Sequence, residues 1–197
     1  LSALEKAEIL APIYRMTARQ WAPYGIEYDR MVEAGVLGPD SRVELLDGEI
    51  IEMPPQGPPH VTATHLVADV VRRLLPPGLV LRMQAPLALD DRSEPEPDIC
   101  IVRGSVRDFA DHHPTGALLI IEVSDSSLDY DRGAKAMAYA RGGIPEYWII
   151  DLKQRGVQVM TEADPRGYRQ TRSLASADRV VSAAVPEIRL AVSDLLP

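Results

Sequence analysis

Ala117-Leu118-Leu119-Ile120-Ile121-Glu122-Val123, then Asp131–Arg141, then Glu146-Tyr147-Trp148-Ile149-Ile150-Asp151, is the stretch that decides the fold. The first run is apolar on both faces, as a strand buried between two layers must be. Asp131–Arg141 has helical spacing, with Ala134, Met137 and Ala138 expected on one face and Gly142-Gly143 as its stop. The third run returns as a strand. Strand, helix and strand joined by short connections form a βαβ unit, whose right-handed crossover lays the helix on the sheet.

Working toward the N-terminus, Asp98-Ile99-Cys100-Ile101-Val102 is a short apolar strand opened by a carboxylate, and Leu79–Met83 reads as another. His60–Leu75 places Val61, Leu66, Val67, Val70, Val71 and Leu74 near helical spacing and stops at Pro76-Pro77-Gly78. Val43–Met53 has a hairpin pattern around the tight pair Asp47-Gly48, and Ile26–Ala34 is a helix ended by Gly35. Toward the C-terminus, Val157–Met160, Tyr168–Thr171, Val180–Ser182 and Ile188–Val192 read as short antiparallel strands. The expected architecture is α/β: a mixed central sheet flanked by helices, with antiparallel hairpins at both ends. Residues 26–197 form one domain in this reading, and residues 1–25 an N-terminal extension.

Composition narrows the function. The 197 residues are 46% hydrophobic and 25% charged, ordinary for a globular chain and unlike a disordered one. With 21 Lys plus Arg against 29 Asp plus Glu the formal charge is −8, which excludes nucleic-acid binding through general basicity. A lone cysteine, Cys100, excludes an intramolecular disulfide and any Cys-rich zinc module, and suits a small buried hydrophobe. Charges interrupt the apolar residues of Leu1–Glu8, no run approaches the ~18 residues of a bilayer span, and a cytoplasmic protein is expected.

Three residues then stand out as candidate chemistry. Asp98 opens a strand after Pro97, and Glu122 ends a run of five apolar residues, where a carboxylate is costly unless a cation or hydrogen bonds compensate it. On neighbouring strands the two acids form a hard oxygen site suited to Mg²⁺ or Mn²⁺. The third is Lys135, one of only three lysines beside 18 arginines. A lysine is a compact charge able to contact a water nucleophile or a phosphate oxygen. Each residue also has a plainer reading: a turn cap for Asp98, a strand-end carboxylate reaching solvent or a backbone amide for Glu122, and a surface i,i+4 pair with Asp131 for Lys135. His60 is expected as a solvated helix start before a place bordering the cleft, Tyr139, one turn beyond Lys135, as a packing residue before a hydrogen bond within the site, and Trp148 and Tyr147 as anchors of the sheet or of a subunit interface.

Glu44-Leu45-Leu46-Asp47-Gly48-Glu49, Pro97-Asp98, Ile121-Glu122-Val123-Ser124, Asp131-Arg132-Gly133-Ala134-Lys135 and Ile144–Asp151 resemble the Uma-type family of restriction-endonuclease-like bacterial proteins. That family is similar to a branch of the PD-(D/E)XK nuclease superfamily. The resemblance runs from about Ile26 to the C-terminus and implies a restriction-endonuclease-like fold. By it, Asp98 and Glu122 match the superfamily's two acids. The usual lysine position, two residues after the second acid, holds Ser124, and the Uma-type pattern points instead to Lys135 on the following helix. Glu44 matches an acid that elsewhere completes the metal site from an N-terminal element, and equally suits an exposed hairpin.

The activity expected from these readings is metal-assisted hydrolysis of nucleic-acid phosphodiesters, DNA first. Asp98, Glu122 and the Val123 carbonyl would hold the ion, with Glu44 acting directly or through water. Lys135 would orient the attacking water or stabilise charge on the phosphoryl oxygens. A homodimer is expected, since a two-stranded cut needs two sites. The charge is segregated along the chain. Leu87–Asp98 carries five acids against Arg92, and Tyr130–Arg172 eight basic residues against five acidic ones. The rival expectations are an inactive nuclease-like module that binds DNA or protein, with Ser124 marking lost chemistry, and a hydrolase of small phosphate compounds.

Overall fold

Alternation along the central strands sorts their side chains onto two faces of one sheet. The structure is a computed structural model and describes residues 25–38 and 40–197. Apart from Gly25, the expected N-terminal extension lies outside the described residues. The chain runs α1 (Gly25–Glu33), β1 (Val43–Leu46), β2 (Glu49–Glu52), α2 (Pro58–Leu74), β3 (Leu79–Met83), β4 (Ile99–Arg103), β5 (Leu119–Ser124), then a helical stretch α3 over residues 128–141. It continues as β6 (Glu146–Asp151), β7 (Gly156–Asp164), β8 (Gly167–Ala175), β9 (Arg179–Val181) and β10 (Arg189–Ala191).

Among the described residues the central sheet has six strands, in the order β3-β4-β5-β6-β7-β8. Only β5 and β6 run parallel, joined across α3, so the βαβ unit and the mixed sheet are as expected. Two small antiparallel sheets flank it, β1–β2 and β9–β10. In the first, Asp47 and Gly48 both have positive φ, 55° and 80°, the backbone that a two-residue hairpin turn of this hand requires.

Odd-numbered residues of β4 and β5 (Ile99, Ile101, Leu119, Ile121, Val123) face α2 and the C-terminal elements, packing with Val67, Val71, Trp148, Ile188 and Leu195. Even-numbered residues (Cys100, Val102, Ile120) face α3, packing with Tyr139, Tyr147, Ile149 and Leu87. Each face is thus closed by its own layer of helix. Glu122 shares the even face.

Two local expectations change. The helix over Asp131–Arg141 is not uniform: Asp131–Lys135 forms a π-helical turn between the short α-turn Leu128–Tyr130 and the α-helical Ala136–Arg141. The wider turn alters the rotational phase, so Ala134 and Met137 are exposed while Asp131, Lys135, Ala138 and Tyr139 are buried. β7 and β8 are each nine residues long and extend the central sheet, well beyond the short strands expected. β8 lies at the sheet edge with Arg169, Gln170, Thr171, Arg172 and Ser173 exposed, and an edge strand that polar carries no alternation to read.

Candidate active site

The register of β4 against β5 brings the two acids together. Ile99 pairs with Ile121 and Cys100 with Ile120, so one step further sets Asp98 opposite Glu122 on the same face. The pair is cross-linked through backbone: the Asp98 N–H donates to Glu122 Oε2 at 3.1 Å, and the Val123 N–H donates to Asp98 Oδ2 at 2.9 Å. Asp98 therefore bonds across the strands and is no local turn cap. Both acids are nearly inaccessible, at 6% and 3% exposure.

From α3, Lys135 Nζ donates to Glu122 Oε1 at 2.9 Å and the Tyr139 hydroxyl donates to the same oxygen at 2.7 Å. Four residues apart, they lie one above the other on the buried face of the helix. Lys135 also stands 3.4 Å from Glu44 Oε2. It is not in a surface pair with Asp131, and Tyr139 does more than pack. Ser124 points to the same face as Glu122 and sits near Ser127, whose hydroxyl donates to Asp131 Oδ2 at 2.6 Å. The ammonium that reaches Glu122 thus comes from the helix and not from the Ser124 position on β5.

Glu44 comes from β1 and is 1% exposed, not a solvated hairpin carboxylate. It accepts from the Glu96 N–H at 3.0 Å and from the Tyr130 hydroxyl at 3.2 Å. His60, in the first turn of α2 after Pro58-Pro59, places Nε2 3.0 Å from Asp98 Oδ1, and the Gln84 amide donates to that oxygen at 3.3 Å. His60 is therefore no solvated helix start: it, Tyr139, Gln84, Tyr130 and Asp131 are the residues that sequence reasoning underweighted. For His60 the signal was the proline pair that opens the helix beside an acid-bearing strand; Gln84 offered none.

The other candidates stay where they were expected. Cys100 is buried, its thiol pushed up to about 12 by burial. Trp148 and Tyr147 anchor the sheet: the indole N–H donates to buried Glu146, and the Tyr147 hydroxyl donates to the Asp131 carbonyl.

Charge in the cluster is unbalanced. Burial raises the Glu122 carboxyl to about 8, with Asp98, Asp131 and Glu44 adding to the rise against Lys135. Burial also acts to raise Asp98, yet the His60 hydrogen bond and charge, the Val123 amide and Lys135 hold it below the usual carboxylate range. Lys135 shows the converse: burial alone would depress it, and Glu122, Glu44 and Asp131 hold it well above its ordinary value, so it is charged at neutral pH. Four buried acids thus surround one buried ammonium.

That excess of negative oxygen suits a hard divalent cation. Among the described residues no group of three His, Cys, Asp or Glu side chains stands ready to hold a metal ion. An ion here would take Asp98 and Glu122 as its side-chain donors and need oxygens from backbone or water besides, as Mg²⁺ commonly does. The acids open into a cavity of about 850 Å³ lined also by Glu44, His60, Lys135 and the hairpin β1–β2.

A mixed sheet that delivers two acids, a lysine and a cavity to one place belongs to the nuclease-like α/β class. The chain is a member of the Uma2 family, described as "Putative restriction endonuclease", whose sequence profile matches residues 27–193. Among solved structures it is similar to a protein from Anabaena variabilis ATCC 29413, titled a "putative nuclease belonging to DUF820" and determined at 1.96 Å. The TM-score is 0.67 at 18% identity, covering 86% of this chain and 95% of that one, which is a likeness of fold. No curated protein matches the chain. No helix among the described residues is long and apolar enough to cross a membrane.

Proposed function

We propose that this chain is a metal-dependent endonuclease that hydrolyses phosphodiester bonds of nucleic acid, with DNA as substrate. The observation that carries the reading is the Asp98–Glu122 pair, opposite each other on adjacent strands with Lys135 on the second acid. Asp98, Glu122 and the Val123 carbonyl are the residues that would hold Mg²⁺ or Mn²⁺, with Glu44 directly or through water. A bound divalent ion supplies Lewis acidity to the scissile phosphate and neutralises the acids that would otherwise repel it.

The chain's own groups account for the rest. Lys135, kept charged, is unsuited to remove a proton; its role is to stabilise charge gathering on the phosphoryl oxygens and to orient water. Glu44 and Tyr139 fix the ammonium and the Glu122 carboxylate relative to each other. His60 and Gln84 occupy Asp98 Oδ1 and hold that carboxylate's plane.

Cleavage of labelled DNA with Mg²⁺ and with Mn²⁺, by the full chain and by Asp98→Ala, tests this. Metal-dependent cleavage that disappears in the variant supports the enzyme. A correctly folded chain that cuts nothing with either metal, yet binds DNA, moves the reading to the inactive module. Turnover of small phosphate monoesters in preference to DNA moves it to the small-molecule hydrolase.

A further inference from the structure

The cavity is lined by two kinds of side chain. The acids and Lys135 are one. The other is an apolar wall of Val32, Leu37, Ile51, Met53 and Pro54, half-buried or exposed on and just after α1 and the β1–β2 hairpin, with Ile51 paired across the hairpin with Glu44 and the Tyr130 ring beside Lys135. We infer that the site acts on a strand whose bases are unpaired around the scissile phosphate, the phosphate meeting Asp98 and Glu122 while an unstacked base lies on the apolar wall. This inference rests on the nuclease reading above and names its substrate class.

Three observations carry it. The first is depth: a phosphate must come within reach of carboxylates that are 6% and 3% exposed, at the base of the cavity. A base-paired backbone is held to its partner strand and offers phosphate and sugar outward, whereas an unpaired nucleotide can turn and enter, as in enzymes that extrude their target base. The second is the wall itself. In duplex the base faces are covered by their neighbours, so apolar surface beside the reacting phosphate has nothing to meet; an unpaired base presents a face that packs on such surface whatever its identity. At about 850 Å³ the cavity lies within the range of roughly 300–1,000 Å³ that encloses small organic ligands, enough for a nucleotide beside the phosphate.

The third is charge. Among the described residues, seven carboxylates line the cavity against Arg42, Lys135 and His60. A duplex brings both strands, with one phosphate charge per ~1.7 Å of axis, while a single strand brings half that density and can leave most of it outside. The chain's net charge of −8 agrees with few phosphate contacts.

The test offers the full chain three DNA substrates of one sequence in Mn²⁺: the single strand, its blunt duplex, and the duplex with a single-stranded overhang. Only cleavage lost in Asp98→Ala is counted. The expected result is cleavage of the single strand and the overhang faster than the duplex interior by on the order of tenfold or more. Equal or faster cutting inside the duplex overturns the inference and leaves the nuclease standing. No cutting of any of the three overturns both. Ile51→Ala with Met53→Ala is the second arm, and its fold is verified by thermal melting. KM for the single strand rises several-fold with kcat nearly unchanged if the wall holds a base, and an unchanged KM overturns that role.

Discussion

At the residue scale the account turns on Lys135, which sits between two buried carboxylates and is itself buried. Removing one member of a buried pair usually costs about 3–5 kcal/mol, because the remaining charge is left in low dielectric. Lys135→Met is expected at the lower end, about 3 kcal/mol, since burial already favours the neutral form of Glu122 and little uncompensated charge is left behind. Urea titration checks this, and adding Glu122→Gln to Lys135→Met should recover much of the loss. His60→Ala should lower cleavage by about 10–100-fold, the usual effect of a residue that orients a ligand from behind, and should also destabilise the fold, because it leaves buried Asp98 without the partner that holds its carboxyl down; paired cleavage and urea measurements read both. Glu94 gives a pH signature away from the acids of the site. Burial, then Asp29 and Glu96, raises it to about 7, and nearby His113 is pushed down by burial and Arg82, so it offers no compensating charge. The folded state then holds a proton that the unfolded state releases near 4.5, so stability should fall as pH rises from about 4.5 to 7. Glu94→Gln should flatten that fall and melt higher than the parent at pH 8. Asp98, Glu122 and Lys135 were legible in the sequence as candidates because a carboxylate at the end of an apolar strand, or a lysine in an arginine-rich chain, is chemically conspicuous; Glu44 was pointed to only by the family resemblance. His60 and Gln84 were not, because their contacts with Asp98 span 38 and 14 residues and depend on where a helix start and a strand end meet.

At the scale of elements, the hairpin β1–β2 and the helix α3 position the site, and the two differed in how far sequence could be read. The hairpin was legible whole, because Asp47-Gly48 specifies its turn and the flanking pattern its strands. Gly48 has φ 80°, where a side chain with a Cβ costs about 1–2 kcal/mol. Gly48→Val should therefore destabilise the fold by about that amount and lower cleavage through Glu44, which differential scanning calorimetry and the DNA assay would show together. In α3 the helix was legible and its phase was not. Asp131-Arg132-Gly133-Ala134-Lys135 has no marker that distinguishes a π-helical turn from an α-turn, and the apolar stripe drawn through Ala134 and Met137 was the wrong one. What selects the observed phase is tertiary: Lys135 and Tyr139 both bond Glu122, and Tyr139 packs edge-on against Tyr147 at 5.0 Å. The β7–β8 extension escaped for a different reason, since an exposed polar edge strand satisfies no burial pattern.

At the scale of the whole molecule, two layers closed over a mixed sheet leave its strand ends at one cavity, and the acidic balance of the chain concentrates there. A homodimer follows from the sequence only if the substrate is duplex and both strands are cut; an unpaired strand needs one site. Light scattering alongside cleavage at several protein concentrations would connect the two, with a rate per chain independent of concentration expected for the single strand. The central claim, that Asp98 and Glu122 share one divalent ion, is tested most directly by anomalous diffraction from a crystal of the full chain equilibrated with Mn²⁺. The account predicts a peak about 2 Å from a carboxylate oxygen of each acid. The contradicting result is saturating Mn²⁺ with no peak between them, Asp98 still closed on His60 and Glu122 on Lys135.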